Sequence, residues 1–565
     1  MNFIENESAQ KLRGGFYTDA DIADFLTRWV LETKPKSILE PSCGDGAFLE
    51  AILERGMPSV RKIFSCEIDP AEAGKAKTRV GQTTKVTLDI HVGDFLKWFL
   101  FHLGETERFE GVLGNPPFIR YQYLSEEQQL IAEKIFARFG LPFTKHTNAW
   151  VPFVIASLSL LSPGGHLGMV VPSEIFHIPH AQSLRKFLAA QCSRILILDP
   201  EKLWFDNALQ GVVLLLAEKK ARPQDRSFGV AVQPVHDREI LQEEARGYIE
   251  TADYINGVSI EGKWMPVFLS KRERSLLKSL RENDKFAMFL EIADVDVGIV
   301  TGANKFFLVT DEIVEAFGLE PWSYPMFGRS EHVEGVIYDN ADHKNNGRAG
   351  LPTNFLWFDE TNINAFPASA QRYIRSGESQ GLTRRFKCRV RTPWFKVPSV
   401  HTAPVAMLKR AHHFPRLVLN KAKAFTTDTA YRIEPRQMAA SSLVYSCLNS
   451  LTCLSAELEG RHYGGGVLEL VPSEIERLIV PKFSASDADL RKLDEDFRAC
   501  SDKSAVLRNQ DAVVLGAVGL SKTDYAALHN AWDRLRNRRQ RNSTAVEAIQ
   551  EISMKNGELL PVRGA

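Results

Sequence analysis

The sequence lacks the features that mark several common classes of protein. Its seven cysteines, in 565 residues, are scattered and never form a C-x-x-C pair, which argues against a disulfide framework or a cysteine zinc site. No apolar run is long enough to span a membrane, and the opening residues carry no apolar signal segment. The formal net charge is zero, so overall charge indicates no partner. We therefore expect a soluble, cytoplasmic protein without a metal site.

Short apolar runs between residues 20 and 220 have the character of buried β-strands. They are residues 37–40, 63–69, 88–94, 111–115, 166–172, 195–199 and 211–219. Helical patterns lie between several of them, and one, NAWVPFVIASLSLLSPGG (148–165), is expected to stop at its glycines. Near-continuous apolar strands alternating with helices predict an α/β fold with a mostly parallel, doubly wound sheet covered on both faces.

After about residue 220 the periodicity weakens and turn residues become frequent. YDNADHKNNGRAGLPTN (338–354) is expected to be an exposed loop. Residues 383–436 hold thirteen Lys or Arg and two acidic residues, a composition that fits a nucleic-acid-binding surface or a solvated basic surface. Six aromatic residues interleave with these cations: Phe386, Trp394, Phe395, Phe414, Phe425 and Tyr431. The residues after 484 look helical, and their DRLRNRRQR (533–541) fits either a helix along a phosphate backbone or a solvated helix.

A glycine-containing loop, LEPSCGDGAFLEAI (39–52), follows the first strand. Gly44 and Gly46 permit a tight turn at the carboxyl end of that strand, where open α/β sheets bind ligands. The loop differs from the G-x-G-x-x-G pattern and carries Glu40 and Asp45, with no lysine to meet a phosphate. An acidic glycine loop suits a cationic ligand that has no phosphate. S-adenosylmethionine, with its sulfonium, ammonium and ribose, meets that description.

Two further carboxylates end the next two strands. Glu67 ends the second strand, where it can accept from both hydroxyls of a ribose. Asp94 ends the third and could accept from the adenine amino group, with Phe95 donating its backbone N–H to the ring. Any one of them could instead be a helix cap or a solvated strand end. Carboxylates at the ends of three successive strands predict a cofactor site.

The stretch LGNPPF (113–118) ends the fourth strand with two consecutive prolines. Proline fixes its own φ and pushes the preceding residue into an extended conformation, so Asn115 and the Pro116 carbonyl become two fixed acceptors. Both N–H bonds of an exocyclic amine such as adenine N6 could donate to these two acceptors. The lone pair of the nitrogen can then face the sulfonium methyl, so this mechanism depends on positioning. Phe118 would stack on the base, which must leave the duplex to reach the cleft. A rigid turn without a catalytic role is the alternative for this stretch.

The order of these motifs resembles that of bacterial DNA adenine-N6 methyltransferases, and GFYT before the glycine loop resembles their gamma, TaqI-like class from type II restriction–modification systems. The resemblance is carried by YT (17–18), EPSCGDG (40–46), EID (67–69), GDF (93–95), NPPF (115–118), SPGG (162–165) and VVPSEIF (170–176). It covers about residues 10 to 220 and continues more weakly at 297–309 and 464–481. It implies a Rossmann-like class I S-adenosylmethionine-dependent domain at 1–240, a mixed α/β target-recognition domain at 241–484 and a helical segment at 485–565.

The resemblance also implies a role for individual residues. The methionine side of the cofactor would be lined by Thr18, Glu40, Ser42, Gly44 and Asp45. Glu67 would hold the ribose, Ile68 would pack on the adenine, and Asp94 with Phe95 would contact the adenine edge. The catalytic motif, which would hold the target base, is Asn115, Pro116, Pro117 and Phe118. Phe118 stands where the family often has Tyr, and the second base-stacking aromatic aligns with Ala181, which leaves Phe176, His177 and His180 as candidates.

The implied function is site-specific methyl transfer from S-adenosylmethionine to adenine N6 in double-stranded DNA, by a monomer acting at the bacterial nucleoid. One chain does not tell which DNA sequence is read, or whether a separate cognate restriction endonuclease is a partner. Two alternatives stay open. The same N-P-P-[YF] chemistry can methylate an RNA adenine or a protein glutamine, and a non-catalytic DNA-recognition subunit could keep the fold.

Overall fold

The computed structural model describes residues 17–56, 58–81, 86–102, 108–202, 204, 211–256, 262–463 and 465–555, with side chains up to 541. The chain divides into two compact units, residues 1–268 with 541–565, and residues 269–540. These limits differ from the expected divisions after residues 240 and 484. Residues 245–251 form a helix that packs against the helix Ala20–Leu31 of the first unit, and the helices after 484 belong, up to residue 540, to the second unit.

The first unit is built on one eight-stranded sheet. Its strands are β1 Ser37–Glu40, β2 Lys62–Glu67, β3 Thr87–Val92, β4 Phe109–Gly114, β5 Leu161–Pro172, β6 Cys192–Pro200, β7 Val212–Lys219 and β8 Gly229–Val235. Their order in the sheet is β3-β2-β1-β4-β5-β7-β6-β8. Only β7 is antiparallel to its two neighbours, β5 and β6, which confirms the predicted, mostly parallel α/β sheet.

Helices cover both faces of this sheet. They are α1 Ala20–Leu31, α2 Ala47–Arg55, α3 Pro70–Val80, α4 Phe95–Phe101, α5 Glu126–Arg138, α6 Trp150–Leu160, α7 Gln182–Gln191 and α8 Ala245–Thr251. Helices α1 to α3 pack in succession, and α4, α5 and α6 pack against one another. Trp29 of α1 stacks on His166 of β5 at 3.8 Å between ring centroids, and its Nε1 donates to the Leu167 carbonyl.

Two details of the first unit differ from the sequence-based expectation. Strand β8 was not predicted, although GVAVQPV at 229–235 alternates in the manner of a strand. Helix α6 ends at Leu160, before the glycines, and the SPGG stretch already lies in β5. The glycines therefore do not end the helix. They lie in strand β5, where Gly164 has a positive φ of 78°.

The strand order reverses between β1 and β4, and this reversal positions the candidate site. The two strands are parallel neighbours, with Ile38 opposite Gly111 and Leu39 opposite Val112. Their carboxyl ends therefore open at the same edge of the sheet, the place where open α/β sheets bind ligands. Glu40 ends β1, and Asn115 directly follows β4.

The second unit contains smaller sheets. Its strands are β9 Phe286–Met288, β10 Ala293–Val297, β11 Leu308–Val309, β12 Ser323–Pro325, β13 Ile337–Tyr338, β14 Asn354–Leu356, β15 Val405–Leu408, β16 Arg410–Ala411, β17 Leu417–Asn420, β18 Ala430–Pro435, β19 Arg461–Tyr463, β20 Val467–Glu469 and β21 Ile479–Pro481. The largest sheet has the order β10-β18-β15-β17-β13, and three small ones are β11-β14-β12, β16-β20-β19 and β21-β9.

Helices surround these sheets and dominate the end of the unit. They are α9 Lys271–Arg281, α10 Phe289–Ile292, α11 Asn304–Phe307, α12 Asp311–Phe317, α13 Asn340–Arg348, α14 Ala368–Ser379, α15 Phe386–Arg389, α16 Ala440–Cys447, α17 Ser450–Glu459, α18 Pro472–Ile475, α19 Asp487–Ala499, α20 Lys503–Gln510 and α21 Lys522–Lys555. Helix α21 continues beyond residue 540. In the described part of the chain, every helix is too short or too polar to cross a membrane.

The expected exposed loop at 338–354 is wrong, because most of it is helix α13. Asp339 caps the helix by accepting from the N–H groups of Ala341 and Asp342 at 2.8 and 3.0 Å. Asp342 in turn accepts from the Asp339 N–H at 3.2 Å. This capping box satisfies the first N–H groups of a helix whose sequence otherwise reads as turn.

The aromatic residues of the basic stretch 383–436 are mostly core residues. Trp394, Phe395, Phe414, Phe425 and Tyr431 are all less than a tenth exposed, whereas Phe386 is 64% exposed. Trp394, Phe395 and Phe425 pack in one hydrophobic cluster of the second unit. The interleaving of aromatic and basic residues therefore reflects a buried face more than a surface for nucleic acid.

Four arginines of DRLRNRRQR pair with carboxylates of the same protein, and three of them are mostly buried, which neither reading of this helix predicted. Arg539 is buried, pairs with the buried Glu457 at 2.7 Å and donates to the carbonyls of His412, His413 and Gly466. Arg534 pairs with Glu273 at 2.8 Å, Arg536 with Asp533 at 2.5 Å and Arg541 with Asp199 at 2.8 Å. Arg536, Arg539 and Arg541 are mostly buried in the protein, whereas the Arg534 side chain is 47% exposed and faces water as well as Glu273.

We predict that Arg539→Ala lowers the free energy of unfolding by about 3–5 kcal/mol, because it leaves the Glu457 carboxylate buried without its cation. Replacing both residues together, as Arg539→Met with Glu457→Leu, should recover most of the loss, since no buried charge then remains. Urea denaturation followed by circular dichroism measures both effects. Arg272→Ala is the control: its exposed pair with Asp524 should contribute little. An Arg539→Ala variant as stable as the wild type would contradict the structural role.

Candidate active site

A cleft at the carboxyl ends of β1 to β4 gathers most of the predicted site residues. It encloses about 1350 Å³, including space open to solvent. The predicted residues in its lining are Thr18, Glu40, Ser42, Gly44, Asp45, Glu67, Ile68, Asp94, Phe95, Asn115 and Pro117. Pro116 and Phe118 are the two predicted residues that are not in the lining. Residues far apart in the sequence thus share one cavity.

The polar part of the lining is acidic. Its carboxylates belong to Glu40, Asp45, Glu67, Asp69, Glu72 and Asp94. Among the described residues that line the cleft there is no Lys, Arg or His, although Asp45 pairs at 2.6 Å with Arg79, which lies outside the lining. In the described ranges no three His, Cys, Asp or Glu side chains are grouped so that they could hold a metal ion. The charge of the cleft therefore favours an organic cation and disfavours a phosphate.

Glu40 is the most unusual of these carboxylates. Its side chain is fully buried, and neither carboxylate oxygen has a hydrogen-bond partner among the residues that the structure describes. Burial, followed by the charges of Glu67 and Asp45, raises the pKa of the Glu40 carboxyl well above its ordinary value. A buried acceptor without a partner is costly to the fold, so its presence at the edge of a cleft points to a ligand.

Glu67 holds the glycine loop in place. Its Oε2 accepts from the Gly44 N–H and its Oε1 from the Asp69 N–H, both at 2.9 Å. Gly44 has a φ of 53°, and a Cβ built on it would meet nothing within 4 Å. Gly46 has a φ of 92°, and its Cβ would lie 3.0 Å from the Ala76 backbone, so a side chain is excluded there. Each Glu67 oxygen keeps a second lone pair for a ligand hydroxyl.

Asp94, Phe95 and Ile68 line the part of the cleft predicted to receive an adenine. Asp94 caps helix α4, since its Oδ1 accepts from the N–H groups of Leu96 and Lys97 at 2.8 and 3.1 Å. The buried Phe95 ring lies 5.5 Å from that of Phe153, while Ile68 is 60% exposed. A flat apolar ligand bound here would cover Ile68. The cap shows that Asp94 has a structural role, and its contact with a ligand stays a prediction.

Asn115 connects the loop after β4 to two other segments. Its carbonyl accepts from the Ser42 hydroxyl at 3.1 Å, and its side-chain Nδ2 donates to Thr18 Oγ1 at 3.1 Å. Because Nδ2 is directed to Thr18, the amide oxygen Oδ1 is the atom suited to accept from an amine. Asn115 lines the same cleft as Glu40, Glu67 and Asp94.

The remaining base-holding residues are less well placed. Pro116 is buried, and the half-buried Phe118 ring packs against the hydrophobic core of the first unit. Of the candidates for the second stacking aromatic, Phe176 is fully buried and packs against Phe268 at 4.7 Å, and His177 is 3% exposed. A role for Phe176 is therefore unsupported, whereas half-buried His180 stays a candidate. The stacking role of Phe118 also stays a prediction.

Part of the lining was not predicted. Tyr17 and Glu72 meet through a hydrogen bond of 3.2 Å, and the apolar wall is formed by Ile119, Leu124, Ile131, Ala132, Ala149, Pro152 and Phe153. These apolar residues lie on α5, α6 and the segments before them. The sequence pattern predicts that these residues are buried. It does not predict whether they pack against the sheet or line a cleft.

Two protein families match the chain. The family described as N-6 DNA Methylase matches residues 2–247, and the family described as Type II methyltransferase M.Eco57I, C-terminal domain, matches residues 261–515. The first match contains every residue of the cleft. The second lies almost wholly within the second unit.

Curated relatives extend over both units. The Type II methyltransferase M.AccI of Acinetobacter calcoaceticus is 23% identical over 82% of this chain and 84% of its own length. The Type II methyltransferase M.XamI of Xanthomonas campestris pv. amaranthicola is 23% identical over 83% of this chain and 85% of its own. The Type II methyltransferase M.BstVI of Geobacillus stearothermophilus is 21% identical over 93% and 99%.

We predict that Glu40→Gln stabilises the ligand-free protein near neutral pH, because the amide does not ionise and so avoids the cost of the raised pKa, which is about 1.4 kcal/mol for each pH unit between the unfolded and the folded pKa. The folded-state pKa of Glu40 lies above the unfolded value of about 4.3, so the cost is absent below that pH and grows as pH rises towards the folded pKa. The stabilisation should therefore shrink as pH falls.

Urea denaturation of the ligand-free chain at several pH values measures this effect. Glu54→Gln, an exposed substitution on α2, serves as the matched control and should leave the curve unchanged. If Glu40→Gln is no more stable than the wild type at the highest pH, Glu40 is not the strained group described here.

Proposed function

The chain belongs to the bacterial N6-adenine DNA methyltransferases of type II restriction–modification systems, and on that premise we propose that its acidic cleft binds S-adenosylmethionine and receives an adenine extruded from duplex DNA. The observation that carries the proposal is the position of Asn115. It lies in the wall of a cleft that has six carboxylates and, among its described lining residues, no basic side chain. In this proposal the cationic methyl donor and the Asn115 amide that holds the target amine lie in the same cleft.

The lining residues suit S-adenosylmethionine in charge and in shape. The partnerless carboxylate of Glu40, with Thr18, Ser42, Gly44 and Asp45, would hold the cationic amino-acid end. Glu67 would accept from the ribose hydroxyls, and Ile68, Asp94 and Phe95 would hold the adenine. The bound cofactor supplies a methyl group made electrophilic by its sulfonium. The cofactor's positive charge would offset the repulsion among the buried and clustered carboxylates.

The chain's own residues orient the target base. Asn115 Oδ1 and the Pro116 carbonyl accept from the two N–H bonds of the exocyclic amine, which turns the nitrogen lone pair away from both acceptors. Thr18 and Ser42 fix the Asn115 side chain and main chain by one hydrogen bond each. Such positioning is the main source of catalysis when no strong base is required. The order of the motifs, with Tyr17 and Thr18 ahead of the glycine loop, supports the gamma class.

DNA is the substrate, and the finer statements about partners are proposals. A base held by Asn115 cannot remain stacked in a duplex, so the enzyme would act on a flipped nucleotide. We propose that it acts as a monomer in the bacterial cytoplasm, and that a separate cognate restriction endonuclease cuts the same sequence when it is unmethylated.

We predict that Asn115→Ala lowers kcat by about 10²–10³-fold or more, the cost of losing one positioned polar group at a reacting centre. Thr18→Ala should lower kcat less, because it leaves the Asn115 amide in place and removes the hydrogen bond that orients it. Asn115→Ala should bind S-adenosylmethionine in calorimetry as the wild type does, whereas Thr18→Ala, which also alters the proposed cofactor site, should bind it more weakly. The exposed Asn364→Ala is the control and should have wild-type kcat. Retained activity in Asn115→Ala would refute the assigned role.

A second experiment separates the proposed substrate from the alternatives. Purified chain is given S-adenosylmethionine labelled with tritium in its methyl group and, in parallel, genomic DNA from a strain that lacks the enzyme, RNA of matched sequence, and protein extract. We expect label in DNA alone, recovered as N6-methyladenine after digestion. Label in RNA or protein alone would favour the corresponding alternative enzyme, and calorimetry without detectable binding of S-adenosylmethionine would favour a non-catalytic recognition subunit.

A further inference from the structure

Residues 384–390 of the second unit form an exposed element that we call the basic tip. Four of its seven residues are exposed cations: Arg384, Arg385, Lys387 and Arg389. Its two apolar residues are also exposed, Phe386 by 64% and Val390 by 65%. Only Cys388 is buried. Phe386 differs in this exposure from the other aromatic residues named in the basic stretch, which lie in the core.

The four cations of the basic tip pair with no carboxylate of the described residues. Within the described part of the chain, none of them makes an ion pair, and Lys387 and Arg389 only lie near the Phe386 ring, at 5.6 and 5.9 Å from its centroid. The sequence has no Asp or Glu between Glu378 and Asp428. The arginines of helix α21 pair instead with carboxylates of the same protein. The positive charge of the basic tip is therefore available to an external anion.

The backbone beneath the basic tip is held against the segment 300–302. The Cys388 thiol points to the Thr301 carbonyl at 3.9 Å, and Arg391 donates to the carbonyls of Thr301 and Val300 at 2.7 and 2.5 Å. Gly302 has a φ of 77°, and a Cβ built on it would lie 2.6 Å from the Lys387 Cβ, so only glycine allows this close approach. The exposed side chains are therefore presented on a fixed support, which lowers the entropy cost of binding.

We propose that the basic tip is a contact surface for double-stranded DNA, in which its four cations bind phosphates and Phe386 inserts as an apolar wedge into a groove. The charge supports a polyanion with closely spaced phosphates. The exposed Phe386 supports a duplex with grooves, since apolar wedges flanked by cations recur in proteins that distort DNA. The inference rests on the proposed function, which supplies duplex DNA as substrate.

The binding of phosphates is tested by the salt dependence of DNA affinity. The variant Arg384→Ala, Arg385→Ala, Lys387→Ala, Arg389→Ala is compared with the wild-type full chain on a mixed-sequence duplex, between about 50 and 200 mM salt. The slope of log affinity against log salt should become shallower by about 0.9 for each phosphate that the variant no longer neutralises. The control variant Arg272→Ala, Arg329→Ala removes exposed cations that are paired with Asp524 and Glu331, and should keep the wild-type slope. An unchanged slope in the fourfold variant would overturn the proposal.

The wedge is tested separately with Phe386→Ala and Phe386→Leu. Phe386→Ala should weaken binding about 5-fold or more without changing the salt slope, because it removes apolar surface and no charge. Phe386→Leu should bind more tightly than Phe386→Ala. Equal affinity of Phe386→Ala and the wild type would overturn the wedge. All variants should melt at the wild-type temperature, since the substituted side chains are exposed.

Methyl transfer separates failure of this inference from failure of the proposed function. If wild-type chain methylates DNA and the fourfold variant binds and methylates it equally well at raised salt, the basic tip does not bind DNA although the enzyme is a DNA methyltransferase. If the wild-type chain binds DNA through the basic tip but transfers no methyl group, the DNA-binding surface stands and the assignment of the cleft fails. Calorimetry with S-adenosylmethionine should give the same affinity for the wild type and every tip variant.

Discussion

The hydrogen bond from the Ser42 hydroxyl to the Asn115 carbonyl joins the two loops on which the proposed chemistry depends. One loop follows β1 and carries the acidic glycine turn, and the other follows β4 and carries the prolines. A hydrogen bond of this kind contributes about 1 kcal/mol to stability, a small share of the total. The bond matters more for the position of the two loops. Parallel pairing of β1 with β4 already places both loops at the same edge of the sheet, and the hydrogen bond then restricts their movement relative to each other. The register of the sheet therefore sets the separation between the acidic glycine loop and Asn115.

Glu40 shows how binding and stability oppose each other in this cleft. The Ser65 hydroxyl donates to the Glu40 backbone carbonyl, and the carboxylate itself receives nothing from the protein. A neutral residue here would relieve the fold but would leave a bound cation without its counter-charge. With a cation in the cleft, the pKa of Glu40 would return towards its ordinary value, so the free energy lost in the empty protein reappears as affinity. Functional sites in marginally stable proteins commonly keep such a cost.

The sequence was sufficient to predict seven of the eight strands and the residues at the ends of the first four, because apolar runs mark buried strands and the topology brings their carboxyl ends together. Glu40, Glu67, Asp94 and Asn115 lie in one cleft for that reason. The side chains from α5 and α6 were not predictable, since helical periodicity gives a buried face but not what lies against it. The direction of the Phe118 ring was not predictable either: the prolines constrain its backbone, and the half-buried ring packs against the core, so its stacking role stays a prediction.

Charge was the feature that the sequence described least well. Clusters of Lys and Arg look alike in a sequence whether they face water, DNA or carboxylates of the same protein, because the partner is distant along the chain. Arg539 and Glu457 are 82 residues apart and both fully buried, so a cluster that suggests phosphate binding is part of the core. Residues 384–390 lie within a span of 49 residues, 379–427, that contains no Asp or Glu. Their cations stay exposed. A net charge of zero is thus the sum of ion pairs within the protein, an acidic cleft and exposed cations such as those of the basic tip, and unpaired cations of this kind can attract a polyanion.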